Sequence, residues 1–257
     1  MKLKILLIEI RVLFEAVRIS LRHLRYFTIF LALWSQVFTR PIKSRRSRWS
    51  YVLLQVIDDL LDGHRQSKVP PLQFVKDIKN QINFKNYSKD FWGSLVEETM
   101  NLFESDPDTW DARFEFLNII DNMMLDHHRM SEKKAWEENQ LIQHHRETFI
   151  PSLNLLFMSL DSKSRVNQMI ELVDVMGWCS MIRDLDDDLS RGLINLPVHL
   201  KTNQDTQNWL HQQVMVASRN VKIAEEKIKV LDPQAKKLGQ LFLKSAKKYL
   251  DQELSHE

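Results

Sequence analysis

Apolar residues recur at helical spacing along nearly the whole chain, and the breaks between periodic segments are few. In the opening segment, residues 1–39, the largely apolar run from Tyr26 to Phe38 is thirteen residues long. A bilayer span needs about 20, so this run predicts a buried or interfacial helix. The basic stretch Lys43 to Arg48 reads as a polar connector, and Tyr51 to Leu61 as a strongly apolar helix that runs into aspartates. Gly63, Ser67, Pro70 and Pro71 mark a turn. Helical periodicity then covers 72–105 and 109–128, divided at Asp106-Pro107-Asp108. Ser131 predicts the N-cap of a charged helix reaching about His145, and Pro151 interrupts or restarts an apolar helix over 150–160. Ser164 to Leu189 reads as one long helix that Gly192 ends, with Pro197 beyond it. Two further helices, 206–230 and 233–254, are split at Asp232-Pro233. With no internal repeat and no low-complexity linker, the expectation is an all-α domain over 31–257, preceded by a basic amphipathic extension over 1–30.

Composition narrows the alternatives. Glycine and proline together number only 12 of 257 residues, too few for the tight turns of a β-sandwich or barrel, or for a glycine-looped nucleotide fold. The one cysteine, Cys179, excludes an internal disulfide and a cysteine zinc site, and fits an inert core thiol in a reducing compartment. A hydrophobic fraction of 44% beside 27% charged residues fits neither a disordered chain nor a polytopic membrane protein. The net charge of +2 conceals an asymmetry: residues 1–50 hold eleven basic side chains against two acidic ones, which leaves −7 on the rest. The apolar residues among those charges favour a membrane surface over nucleic acid as the anionic partner. Charged residues also break up any secretory leader. The expected location is cytoplasmic, peripheral at the inner face of a membrane.

The chemistry lies in two aspartate constellations. Tyr51, Gln55, Asp58 and Asp62 follow at steps of four, three and four, so they form one polar stripe on an otherwise apolar helix, with Asp59 beside it. Asp184 and Asp188 form a second i, i+4 pair, with Ser180 and Gly177 continuing that face, while Arg183 and Asp187 make the adjacent pair and Arg191 lies one turn on. Buried like charges are costly unless something compensates them. A hard divalent cation compensates, and two such faces with arginines at hand describe a site for metal and a polyanion. Mg²⁺ suits it, since that ion takes one or two carboxylates and completes its octahedron with water and phosphate.

These residues resemble the squalene and phytoene synthase family, the head-to-head branch of the isoprenyl diphosphate synthases. The first family motif is matched by Tyr51 and Asp58-Asp59-Leu60-Leu61-Asp62, and the second, over eighteen residues, by Ser180 to Pro197. Fainter resemblance runs from about residue 31 to 250. Departures fall at Gln55, where the family has arginine, at Ser180 for asparagine, Gly177 for glutamine, Leu193 for arginine and Asn195 for tyrosine. The resemblance implies a class I terpenoid synthase bundle around a central cavity, in which aspartate-rich helices face one another. It also implies head-to-head condensation of prenyl diphosphates, with Asp58, Asp59, Asp62, Asp184, Asp187 and Asp188 carrying Mg²⁺, or Mn²⁺ in its place. Arg183, Arg191, Arg45 and Arg46, with Gln55 and Ser180, contact substrate, and Tyr51 lines the pocket. NADPH dependence and the choice between C15 and C20 substrates stay open. So do two alternatives: a non-catalytic relative serving as a membrane-associated scaffold or assembly factor, and a class I enzyme acting on a single prenyl diphosphate. His127-His128 and His144-His145 read as surface residues, because adjacent helical side chains point about 100° apart. Asp121 and Asp126 are five steps apart, a poor helical spacing for shared ligation, and are not assigned to the site.

Overall fold

The periodicity resolves into ten α-helices in a computed structural model that describes residues 2–22, 24–41 and 44–255. No strand occurs among those residues, which hold one isolated bridge between Trp136 and Pro197. Contacts divide the chain into two compact units. One comprises 1–123 with 158–161, the other 124–157 with 162–257.

The first unit is built on α3 (Ser44–Leu61), which touches α1 (Lys2–Ser20), α2 (Leu24–Ser35), α4 (Pro71–Phe84) and α5 (Phe91–Glu104). Val12, Trp49, Leu53, Ile57, Ile78 and Phe103 close its core. The inner face of α1, with Ile8, Val12, Ala16 and Ile19, is part of that core. The basic stretch read as a connector is instead the first turn of α3, and Ser44, Arg46, Ser47 and Arg48 are buried there. Lys43 lies outside the described residues. Burial of these arginines is compensated by pairing: Arg48 donates to both carboxylate oxygens of Glu9, at 2.7 and 3.1 Å. The stretch 72–105 is two helices rather than one. Lys85 takes a left-handed conformation after α4, and Asp90 caps α5 by accepting from the Gly93 N–H at 2.8 Å.

The second unit centres on α8 (Ile170–Arg191), packed against α9 (Asn203–Lys227) and α10 (Pro233–Ser255). Phe157, Val173, Trp178, Trp209, Val221 and Leu243 belong to its core. Three expected boundaries shift, and the first is the start of α8, which begins at Ile170 rather than Ser164, after a short 3-10 turn over Val166–Gln168. Helix α6 (Ala112–Glu132) continues through Ser131, whose hydroxyl donates back to the His128 carbonyl, so Ser131 is near a helix end rather than a start. Helix α7 (Glu138–Ser159) carries Pro151 inside it without a break. The hydroxyls of Thr148 and Ser152 donate to carbonyls one turn back on either side of that proline. α9 opens on a capping box in which Thr202 and Asp205 satisfy each other's backbone N–H groups.

Candidate functional site

On α3 the apolar neighbours Val52, Leu53, Val56, Ile57, Leu60 and Leu61 are buried, whereas Tyr51, Gln55, Asp58 and Asp62 are half-buried. The expected stripe is therefore the polar edge of a helix otherwise enclosed by its neighbours. Gln55 Nε2 donates to Asp58 Oδ2 at 3.0 Å and to Asp59 Oδ1 at 2.9 Å. A neutral amide at this place orients both carboxylates without cancelling their charge, which an arginine would do. Asp59 is buried and paired with Arg22 at 2.8 Å. The Tyr51 hydroxyl is enclosed. Arg45 donates to Glu9 at 2.7 Å. Arg46 is buried and donates to the Leu102 carbonyl, Asp106 and Asp161, so its guanidinium ties segments of the first unit together.

On α8, Arg183 grips the carboxylate of its neighbour Asp184 and reaches Ser180 Oγ at 3.1 Å. Both members of that ion pair are partly open to solvent. Asp187 is exposed and meets Arg191 at 3.0 Å, and the same guanidinium donates to Asp188 Oδ1 at 2.9 Å. Asp188 is only 8% exposed. The helix ends because Gly192 turns left-handed at φ 89°, and the Gly192 and Leu193 N–H groups close on the last-turn carbonyls. A side chain at Gly192 would meet the Met130 carbonyl oxygen at 2.9 Å, so space as well as backbone conformation requires glycine.

That turn carries Asn195 back to the helix, where its Nδ2 donates to Asp188 Oδ2 at 2.9 Å. Asn195 Oδ1 in turn accepts from Arg129 at 3.0 Å. Arg129 is buried, stands 4.0 Å from the Trp136 ring centre, and donates to Asp126 at 2.8 Å. Asp126 also meets His144 Nε2 at 2.8 Å. His144 is thus a buried member of a polar network and not the surface residue expected, because Asp126 and Trp136 give its ring polar and aromatic partners. His145 is half-buried against Trp178. The sequence named Asp126 and Asn195 but not their connection. The available signal was the i, i+3 spacing of Asp126 and Arg129.

Charge is unevenly settled in this network. Burial pushes the Asp188 carboxyl up to about 6, against the pull of Arg191 and Asn195, and the negative charges of Asp184 and Asp126 add to the rise. Burial acts on Asp126 in the same sense, but His144 and Arg129 outweigh it and hold that group below its ordinary value. Burial pushes His145 down to about 4 and the Cys179 thiol up to about 11, so the one is neutral and the other a thiol at pH 7. Among the described residues, no three His, Cys, Asp or Glu side chains are grouped as a metal cage. Within the second unit, a cavity of about 310 Å³ adjoins His144 and Trp136, and one of about 990 Å³ lies on α9 and α10. The two aspartate stripes belong to different units. A comparison of the chain with family models and with curated proteins finds no match.

Proposed function

We propose that this chain is a Mg²⁺-dependent prenyltransferase of the squalene and phytoene synthase type, with a class I terpenoid synthase fold, which condenses two prenyl diphosphates head to head. The observation that carries this reading is the pair of aspartate stripes. Asp58 stands on the central helix of the first unit with Asp62 in the turn that directly follows it, and Asp184 with Asp188 on the central helix of the second. The donors are carboxylate oxygens, which suit a hard cation, and Asp188, held close to protonation chiefly by its burial, is a group whose ionised form a cation would favour. Asp58, Asp62, Asp184 and Asp188 would hold Mg²⁺, with Asp59 and Asp187 beside them. When bound, that ion supplies neutralisation of the departing diphosphate. The absence of a three-residue cage is no obstacle, since each ion needs only one or two carboxylates besides water and phosphate.

The chain's own groups supply the rest. Arg183 and Arg191 rest on aspartates and would exchange those partners for diphosphate oxygens, which accept bidentate guanidinium well. Tyr51 and the apolar flank of α3 would keep water from an allylic cation. Incubation with C15 or C20 diphosphate and Mg²⁺, with mass analysis of a hexane extract, tests the reading: a C30 or C40 hydrocarbon is the expected product. A terpene of the substrate's own chain length would indicate action on a single diphosphate.

One observation favours a second reading, a non-catalytic relative that keeps the fold as a scaffold. Asp59, Asp184, Asp187 and Asp188 each have an arginine of the same chain on them, so their charges are held without a metal. Absence of product from both substrates, together with no Mg²⁺-diphosphate binding, selects that reading.

A further inference from the structure

Helix α1 has two apolar faces. The inner one packs in the first unit, while Leu3, Leu7, Ile10, Phe14, Val17 and Leu21, at steps of four and three, lie on the outer one and are exposed by 41% to 82%. With Leu6 and Leu13 this outer stripe spans roughly 120° of the helix, a width typical of a helix lying in an interface. The same surface continues past α1, because Phe27 and Leu31 on α2 are exposed and Phe38 beyond it is 91% exposed. A groove of about 530 Å³ runs between these segments, lined by Ile10, Leu13, Leu31, Trp34 and Phe38 together with the ion-paired Glu9 and Arg48. No helix among the described residues is long and apolar enough to cross a membrane.

The charges around this surface identify what covers it. Lys4, Arg11, Arg18 and Arg22 recur at steps of seven, seven and four, so they follow one edge of the outer stripe. The acidic residues of α1 are both ion-paired: Glu9, half-buried beside the groove, is held by Arg45 and Arg48, and Glu15, buried, by Arg65. The exposed charges described on residues 2–41 are therefore all cationic. Two copies apposed through this face would set arginine rims against each other, whereas anionic headgroups complement them. The basic edge is also partly spent, since Lys4 binds Glu97 and Glu98, Arg22 binds Asp59, and Arg11 lies over the Phe91 ring.

We infer that the outer face of α1, continued by α2 and Phe38, inserts into the headgroup region of an anionic lipid bilayer, with apolar burial as the main attraction and the arginine edge as an orienting one. This goes beyond the prenyltransferase reading and does not depend on it. Flotation of the full chain with vesicles of phosphatidylcholine, alone or with phosphatidylglycerol, provides the test. Binding is expected to both, stronger to the anionic vesicles, and to fall less than about threefold between about 0.1 and 0.5 M NaCl, since buried apolar contact is not screened. The triple substitution Leu7→Gln, Ile10→Gln, Phe14→Gln should lower binding to both vesicles by at least about tenfold. Arg11→Glu with Arg18→Glu should weaken binding to the anionic vesicles alone. Because a variant can lose binding by misfolding, bromine-labelled acyl chains give a check on the unaltered chain: they should quench tryptophan emission, and Trp34→Phe should remove much of that quenching. Flotation of the triple variant equal to the original, binding abolished by salt, or no quenching overturns the inference. So does a dimer without vesicle binding that the triple substitution turns into a monomer, which would assign this face to a second copy.

Discussion

Asp188 is a carboxylate kept close to protonation by its surroundings, and that gives it a signature in stability. Its ordinary value is 3.8, and burial lifts it to about 6 in the folded chain. Between these values the folded chain keeps a proton that the unfolded chain has released, so the proton favours folding and rising pH removes that contribution. The unfolding free energy of the original chain, measured relative to Asp188→Asn, should therefore fall by on the order of 3 kcal/mol from pH 4 to pH 7. Urea titrations at the two pH values check this, and a difference that stays constant would mean that Asp188 is not lifted. The aspartates themselves were legible, because i, i+4 spacing on an apolar helix is a local pattern. The partners of Asp188 were not. Asn195 reaches it only through the turn at Gly192, and Arg129, Asp126 and His144 come from helices far away in the chain. Gln55 was legible as a departure from a family motif, but its function as a neutral bridge between Asp58 and Asp59 needed coordinates.

Helix ends decide where these side chains go, and two of them carry measurable weight. Gly192→Ala adds a side chain at φ 89° and within 2.9 Å of the Met130 carbonyl, so a loss of about 2 kcal/mol is expected, with Asn195 drawn off Asp188 as the turn shifts. Asp232 precedes α10 and accepts from Ser162, Lys163, Ser164, Gln234 and Ala235, which joins a loop to the start of that helix. Although burial alone would raise the Asp232 carboxyl, the donors hold it well below the ordinary range. The stability it contributes is complete above the unfolded value and disappears as pH falls toward the folded one. Asp232→Ala should cost about 2 to 4 kcal/mol at pH 7, and the gap in melting temperature from the original chain should shrink below about pH 4. Thermal scans across that range are the check. At this scale the sequence located the helices well where glycine or Asp-Pro pairs punctuate them, at Gly192, Asp106-Pro107 and Asp232-Pro233. It missed the break over 85–90, which has neither glycine nor proline and depends on Lys85 turning left-handed. It also read Pro151 as an interruption, where the helix continues through it with the Thr148 and Ser152 hydroxyls bonded to carbonyls one turn back.

For the molecule as a whole, the all-α character was legible from periodicity and the scarcity of glycine and proline, while the use of the N-terminal arginines was not. The resemblance assigned Arg45 and Arg46 to substrate, but they are paired within the chain with Glu9, Asp106 and Asp161, which no local pattern connects to them. The proposed head-to-head coupling ionises one diphosphate and holds another, and on that reading the carboxylates of each stripe are needed for turnover. Asp58→Ala and Asp188→Ala should each reduce turnover by about 10³-fold or more, near 4 kcal/mol of transition-state stabilisation. The double variant should be scarcely slower than either single one, because groups that act as a unit do not contribute additively. Binding separates this from simple unfolding: Mg²⁺ with pyrophosphate at about 100 times its dissociation constant should add roughly 2.7 kcal/mol of stability to the original chain. A single-stripe variant that remains folded should lose much of that gain. Gln55→Arg would place a fixed positive charge against Asp58 and Asp59, in the manner of the family motif, and with Ser180→Asn it should leave activity unchanged or raise it. A chain that neither turns over C15 or C20 diphosphate nor gains stability from Mg²⁺ and pyrophosphate, before and after these two substitutions, has its aspartates neutralised by its own arginines for structural reasons, and the scaffold reading replaces catalysis.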